Sequence, residues 1–219
     1  MRPTSLLKLY LCGLLLAAPV SAEQLPDIIG IARDSTGQTE LYQEHYYCEA
    51  AASACSVFYL DPAQQLIASK VIDYQLSLQA PSLLFIDYRG DRELAVQGPG
   101  TIDDLVIDAG FDNYIRKRWQ QLQTGESVFF PFLPADRSEP LAMELKTSDD
   151  ADCDETELCL EVTLDSWWLR ALVQPIKLSY SRDNQRLLRF RGISNISDPD
   201  GNSQTVDISY QYPEQTADG

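Results

Sequence analysis

Val57-Phe58-Tyr59-Leu60, followed by Asp61-Pro62-Ala63-Gln64 and then by Leu66-Ile67-Ala68-Ser69-Lys70-Val71-Ile72-Asp73-Tyr74, is the stretch that decides the fold. A run rich in β-branched and aromatic residues enters a proline-set turn. It returns with Leu66, Ala68 and Lys70 on one side and Ile67, Ser69 and Val71 on the other. That is a hairpin, and the same pattern repeats on either side of it. Upstream, Ile28 to Ala32 and Leu41 to Tyr47 flank Asp34-Ser35-Thr36-Gly37-Gln38, a turn with a glycine for positive φ. Downstream, Leu83 to Tyr88 and Glu93 to Gln97 flank Arg89-Gly90-Asp91, and Gly98-Pro99-Gly100 ends the run.

The period changes after Asp108. From Phe111 to Gln123 the apolar residues Phe111, Tyr114, Ile115, Trp119 and Leu122 recur at helical spacing. Asp108 and Asp112 lie near the start and Gly125 just past the end, so one helix is predicted here. Val128 to Leu133, Leu141 to Lys146 and Leu158 to Leu164 then read as strands, with Pro131 confining the first to an edge or bulge. A short helix is read over residues 166–173, stopped by Pro175. Ile176 to Ser181, Arg186 to Ile193 and Thr205 to Tyr212 complete the β pattern. The expected fold is mainly β (α+β): a curved antiparallel sheet or half-barrel of about ten strands packed around one main helix.

Residues 1–22 read as a signal peptide. Arg2 and Lys8 precede an apolar run through Leu14-Leu15-Leu16-Ala17-Ala18, and Val20-Ser21-Ala22 supplies small residues for cleavage before Glu23. Leu11 before Cys12, and an apolar core that continues after it, argue against a lipidated cysteine. The expectation is a periplasmic or secreted protein with a single β-rich domain over 23–213 and a loose tail over 214–219. No later segment is apolar for long enough to span a membrane. Two of the 17 basic residues lie in the leader, leaving 15 against 33 acidic ones, a net charge of −18. So acidic a surface repels nucleic acid and argues against it as a partner.

Cys48, Cys55, Cys153 and Cys159 remain in the mature chain, an even number suited to an oxidising compartment. Proximity favours Cys48–Cys55 and Cys153–Cys159, although a cross-link between the two segments stays open on the sequence alone. Neither pair has C-x-x-C spacing and the sole histidine is His45, so no metal site is expected. His45 on a strand reads as an ordinary polar-face residue, no catalytic residue is singled out, and no cofactor motif is present. Asp150, Asp152, Asp154 and Glu161 have calcium-loop offsets. Glu155 stands where the loop needs glycine, however, and a solvated loop pinned by a disulfide is the better reading.

Two kinds of residue point to binding. Arg189 and Arg191 share one face of a strand and could hold a carboxylate or phosphate if that face lines a cavity; surface pairing with the many acids is the competing reading. The aromatics Phe129, Phe130, Phe132, Trp119, Trp167 and Trp168 cluster by sequence around the helix. The adjacent Trp167 and Trp168 do not both face one core easily. Candidate ligand-binding residues are therefore Phe129, Phe130, Trp167, Trp168, Arg189 and Arg191.

A leader, a long antiparallel run of strands and an aromatic-rich helix together resemble the periplasmic lipoprotein-carrier (LolA/LolB-like) half-barrel across most of the mature chain. The stretches from Pro175 to Tyr180 and from Arg189 to Ile196 also resemble uncharacterised secreted proteins of Gram-negative bacteria. The first resemblance implies a half-barrel sheltering acyl chains and assigns no functional residue; the second implies no activity. The leading expectation is a soluble periplasmic binding or carrier protein for an apolar, lipid-like ligand. The alternatives are a non-enzymatic envelope protein that binds a partner protein and, third, a hydrolase using paired carboxylates.

Overall fold

A computed structural model describes residues 24–49, 53–90, 92–99, 104–150, 152–166 and 174–214. The leader, the residues from 215 on and the short helix read over 166–173 lie outside these, apart from Ser166. Six strands come first: β1 (Ile28–Arg33), β2 (Glu40–Cys48), β3 (Ala54–Leu60), β4 (Leu66–Asp73), β5 (Ser82–Asp87) and β6 (Arg92–Val96). Then come β7 (Val106–Ile107), a 3-10 turn over Asp108–Gly110, and two helices, α1 (Phe111–Lys117) and α2 (Trp119–Gln123). The chain continues through β8 (Val128–Leu133), β9 (Leu141–Thr147), β10 (Glu157–Leu164), β11 (Ile176–Ser181), β12 (Leu187–Ile193) and β13 (Thr205–Gln211).

All thirteen described strands form one sheet in the order β6-β5-β4-β3-β2-β1-β13-β12-β11-β10-β9-β8-β7. The expectation of a curved antiparallel sheet with a helix against it therefore holds in outline, with more strands than the ten expected. Every pairing is antiparallel except that of β7 with β8, where two residues pair in parallel. So brief a segment carries no alternation, which is why β7 left no mark on the sequence pattern. It covers only Phe132 and Leu133 of β8, so Pro131 lies where a missing N–H costs little.

The single helix expected over 111–123 is two short ones, broken at Arg118. The break leaves the apolar stripe intact: Tyr114, Ile115, Trp119 and Leu122 are buried while Arg116 and Lys117 are exposed. No helix among the described residues is long and apolar enough to cross a membrane. Both local disulfides are formed, Cys48–Cys55 across the β2–β3 hairpin and Cys153–Cys159 around the turn leading into β10.

Alternation gives the sheet two unlike faces. On the concave side lie Ala32, Tyr42, Val57, Tyr59, Ile72, Leu83, Phe85 and Ile208 toward one end, and Phe130, Leu145, Leu158, Leu160, Leu178 and Tyr180 toward the other. The helices cover the second group. Leu105 and Ile107, just before and within β7, and Ile196 of the β12–β13 connection cover the first. The β4–β5 connection reaches over to this cover, where the Ile107 N–H donates to the Gln79 carbonyl at 3.0 Å. Gly110 makes the approach possible, because a Cβ there would stand 2.0 Å from that carbonyl oxygen.

Candidate functional site

The middle of the concave side breaks an otherwise apolar surface with a row of buried polar groups. In register across β1, β2 and β3, Gly30 faces Glu44 and Glu44 faces Tyr59. Gly30 is a glycine because Glu44 and Tyr210 fill the space above it: an added Cβ would meet Tyr210 Cε1 at 2.9 Å and Glu44 Oε2 at 3.1 Å. Glu44 is 6% exposed and accepts hydrogen bonds from the Tyr46 hydroxyl at 2.7 Å and the Tyr210 hydroxyl at 3.3 Å. Burial raises its carboxyl above the usual range, opposed by the Tyr46 hydrogen bond and by Lys70. Burial also pushes the hydroxyls of Tyr42, Tyr46, Tyr59 and Tyr210 well up, so these act as neutral donors and acceptors.

Beside this group, the Lys70 ammonium donates to Asp108 Oδ1 at 2.6 Å, with both side chains only 6% exposed. The Asn195 amide donates to the other carboxylate oxygen at 3.2 Å. Asp108 opens the 3-10 turn with φ at +30°, a backbone value that a residue with a Cβ adopts at a cost. The ion pair and Asn195 hold it there. The 194–197 segment is tied down in turn. The Tyr42 hydroxyl meets Ser194 Oγ at 2.6 Å, and Arg92 and Arg89 donate to the carbonyls of Asn195 and Ser197 at 3.0 and 2.9 Å. The interior thus combines an aromatic and aliphatic lining, a satisfied polar row and a cover anchored both by buried Leu105, Ile107 and Ile196 and by side-chain hydrogen bonds.

The buried carboxyl sets a pH dependence. A folded value above the unfolded one means that the contribution of Glu44 to stability is complete at pH values below the unfolded carboxyl's range. It is lost as pH rises through the raised folded value. Glu44→Gln keeps an acceptor for Tyr46 and Tyr210 and removes the charge. Urea unfolding across a pH series is therefore expected to show the variant losing less stability than wild type toward neutral and alkaline pH; parallel curves would contradict this.

The candidate binding residues fall in different places. Phe130 is buried on the concave side against Tyr114 and Phe111, with ring centroids 4.9 and 5.8 Å apart. Its neighbour Phe129 points to the outer face, 57% exposed, as strand alternation requires. Trp167 and Trp168 lie outside the described residues. Arg189 and Arg191 share the outer face, as their spacing predicts, and there they meet acids. Asp207 accepts from Arg189 Nε at 2.7 Å and from Arg191 Nε at 3.0 Å. His45 is also on the outer face, hydrogen-bonded to Gln43 at 3.0 Å. Cys153 and Cys159 approach Glu157 closely, but both sulfurs belong to the disulfide. The interior polar row was not singled out from sequence. Glu44 and Lys70 are charged residues at inward positions of alternating strands, and that register was the signal available.

No protein-family model matches the chain, and no curated protein matches it. Among solved structures it is similar to a crystal structure described as a "putative outer membrane lipoprotein-sorting protein domain from Vibrio parahaemolyticus". The identity is 10% and the TM-score 0.27, over 87% of this chain and 84% of that one.

Proposed function

We propose that the protein is a non-enzymatic periplasmic carrier for an amphiphilic, lipid-like ligand, working as one exported unit over residues 23–213 after loss of the 1–22 leader. The observation that carries this reading is the polar row of Glu44, Tyr46, Tyr210, Lys70 and Asp108 set into an apolar concave face. A core needed only for stability gains nothing from burying these groups, whereas an acyl chain with a polar head meets both surfaces it requires. Phe130 belongs to the seat. The 104–110 and 194–197 segments, with little regular structure beyond the two residues of β7 and one 3-10 turn, are the parts that give way to a ligand. Two local disulfides fit an oxidising compartment.

Native mass spectrometry of protein purified from the periplasm tests this directly. The expected result is an adduct of lipid mass that detergent exchange removes. Titration of the emptied protein with a fatty-acid probe should then change tryptophan emission saturably. Protein that carries no adduct and responds to no probe would refute the carrier reading.

One observation favours a partner-binding role instead. Phe58, Val71 and Leu84 lie on the outer face of the adjacent strands β3, β4 and β5, each at least 36% exposed, and Phe129 adds a further exposed ring. Val71→Asp with Leu84→Asp separates the readings: it leaves probe binding unchanged if the ligand sits inside, and abolishes association if this face is the contact.

A further inference from the structure

On the outer face, opposite the carrier seat, three cations converge in a chain that has 33 acidic and 17 basic residues. Lys177 on β11 stands directly across from Arg191 on β12, and Arg189 lies two residues along the same face. Like charges set opposite each other across a strand pair destabilise a sheet unless an anion lies between them. Asp207 on β13 supplies one negative charge from below, shared by the two guanidinium groups. Glu157, which accepts from the Ser179 hydroxyl at 2.5 Å, adds a second, and two more come from the loop before β10. Asp150 takes the Lys177 ammonium at 2.8 Å and Asp152 takes Arg191 Nη2 at 2.8 Å. The Cys153–Cys159 bridge fastens this loop beside a depression of about 190 Å³, whose lining sets Lys177, Arg189 and Arg191 against Asp150, Asp152 and Glu157.

The loop contacts are weak ones. Lys177 is 42% exposed and Asp152 60%, and ion pairs so open to water contribute little. The two acids thus act as a displaceable stand-in: swinging the loop aside frees Lys177 Nζ and one edge of Arg191, and leaves a local charge of +1 once Asp207 and Glu157 are counted. An ammonium beside a planar guanidinium fork suits one phosphate bridging the two better than two separate carboxylates.

We infer that the Lys177, Arg189 and Arg191 depression is a binding site for a phosphate monoester or free phosphate, occupied in the resting protein by the chain's own Asp150 and Asp152. The site lies on the other side of the sheet from the proposed carrier seat and does not depend on it. Its ligand is inorganic phosphate or the head group of a phosphatidic-acid-type lipid.

Calorimetric titration with inorganic phosphate and flotation with phosphatidylcholine vesicles, with and without phosphatidic acid, test the site and tell the two sources apart. Asp150→Asn/Asp152→Asn should bind about two- to thirtyfold more tightly than wild type, the gain expected when two competing exposed pairs are removed. A charge-matched control, Asp61→Asn/Glu93→Gln, should bind as wild type does. Adding Lys177→Gln and Arg191→Gln to the first variant should abolish the gain. Cys153→Ser/Cys159→Ser, which unfastens the loop by another route, should also increase binding. Binding of phosphate alone, or of phosphatidic-acid vesicles alone, supports the site and names its source. No gain in either loop variant, or a gain equalled by the control, overturns it.

Discussion

Trp119→Ala is expected to lower stability by about 3–5 kcal/mol, the range for deleting a large aromatic side chain from a packed interior. Trp119 is 6% exposed, and its ring meets Tyr180 of β11 edge to face at 6.0 Å between centroids. It also begins α2 immediately after the break at Arg118, so its removal takes away the main anchor of a five-residue helix that has little stability of its own. Lys117→Ala, two positions earlier, removes an exposed side chain that bonds Gln79 at 2.7 Å and stands 3.7 Å from Asp104. It should cost less than about 1 kcal/mol. Denaturant unfolding of both variants checks the contrast. Equal small losses would mean that the helical insert does not hold the concave side together.

Lys70→Met is expected to be as damaging, about 3–5 kcal/mol, for a different reason. It leaves the Asp108 carboxylate enclosed with only the Asn195 amide for a partner, and an uncompensated buried charge is far worse than a missing pair. The loss should therefore be largely recovered in Lys70→Met/Asp108→Leu, which removes both charges and fills the space with apolar atoms. It should also respond little to added salt, since the pair is shielded from solvent. A double variant as unstable as the single one would show that Asp108 has a role apart from its ion pair, such as holding its positive-φ backbone.

The pairing of hairpins, the inward stripe of the helix and both disulfides were legible because each depends on residues close in sequence. Ala68 and Lys70 separate from Ser69 and Val71 by period alone, and Cys48 lies opposite Cys55 across one hairpin. The interior polar row was not legible, since Glu44, Lys70, Asp108 and Tyr210 come from four distant segments and meet only through tertiary packing. The break at Arg118 was invisible for the converse reason. A helical period of apolar residues continues through it, and only the packing of two short pieces against a curved sheet shows the interruption. For Phe129 and Phe130, clustering in sequence suggested one site where alternation along a strand sends the two rings to opposite faces.

The pairing of β1 with β13 has a bearing on how the chain reaches this form. β1 to β6 form one meander of local hairpins and β8 to β13 another, and the seam between first and last strands joins Ile29 to Gln211. Nearly the whole described chain must be in hand before that contact can form, so its loop-closure entropy comes late and completion is slow for so β-rich a chain. During the interval both meanders present an unpaired edge, at β1 and at β13, with the apolar concave side still uncovered. That half-assembled species is the one a folding helper would recognise and the one most prone to join strands with its neighbours.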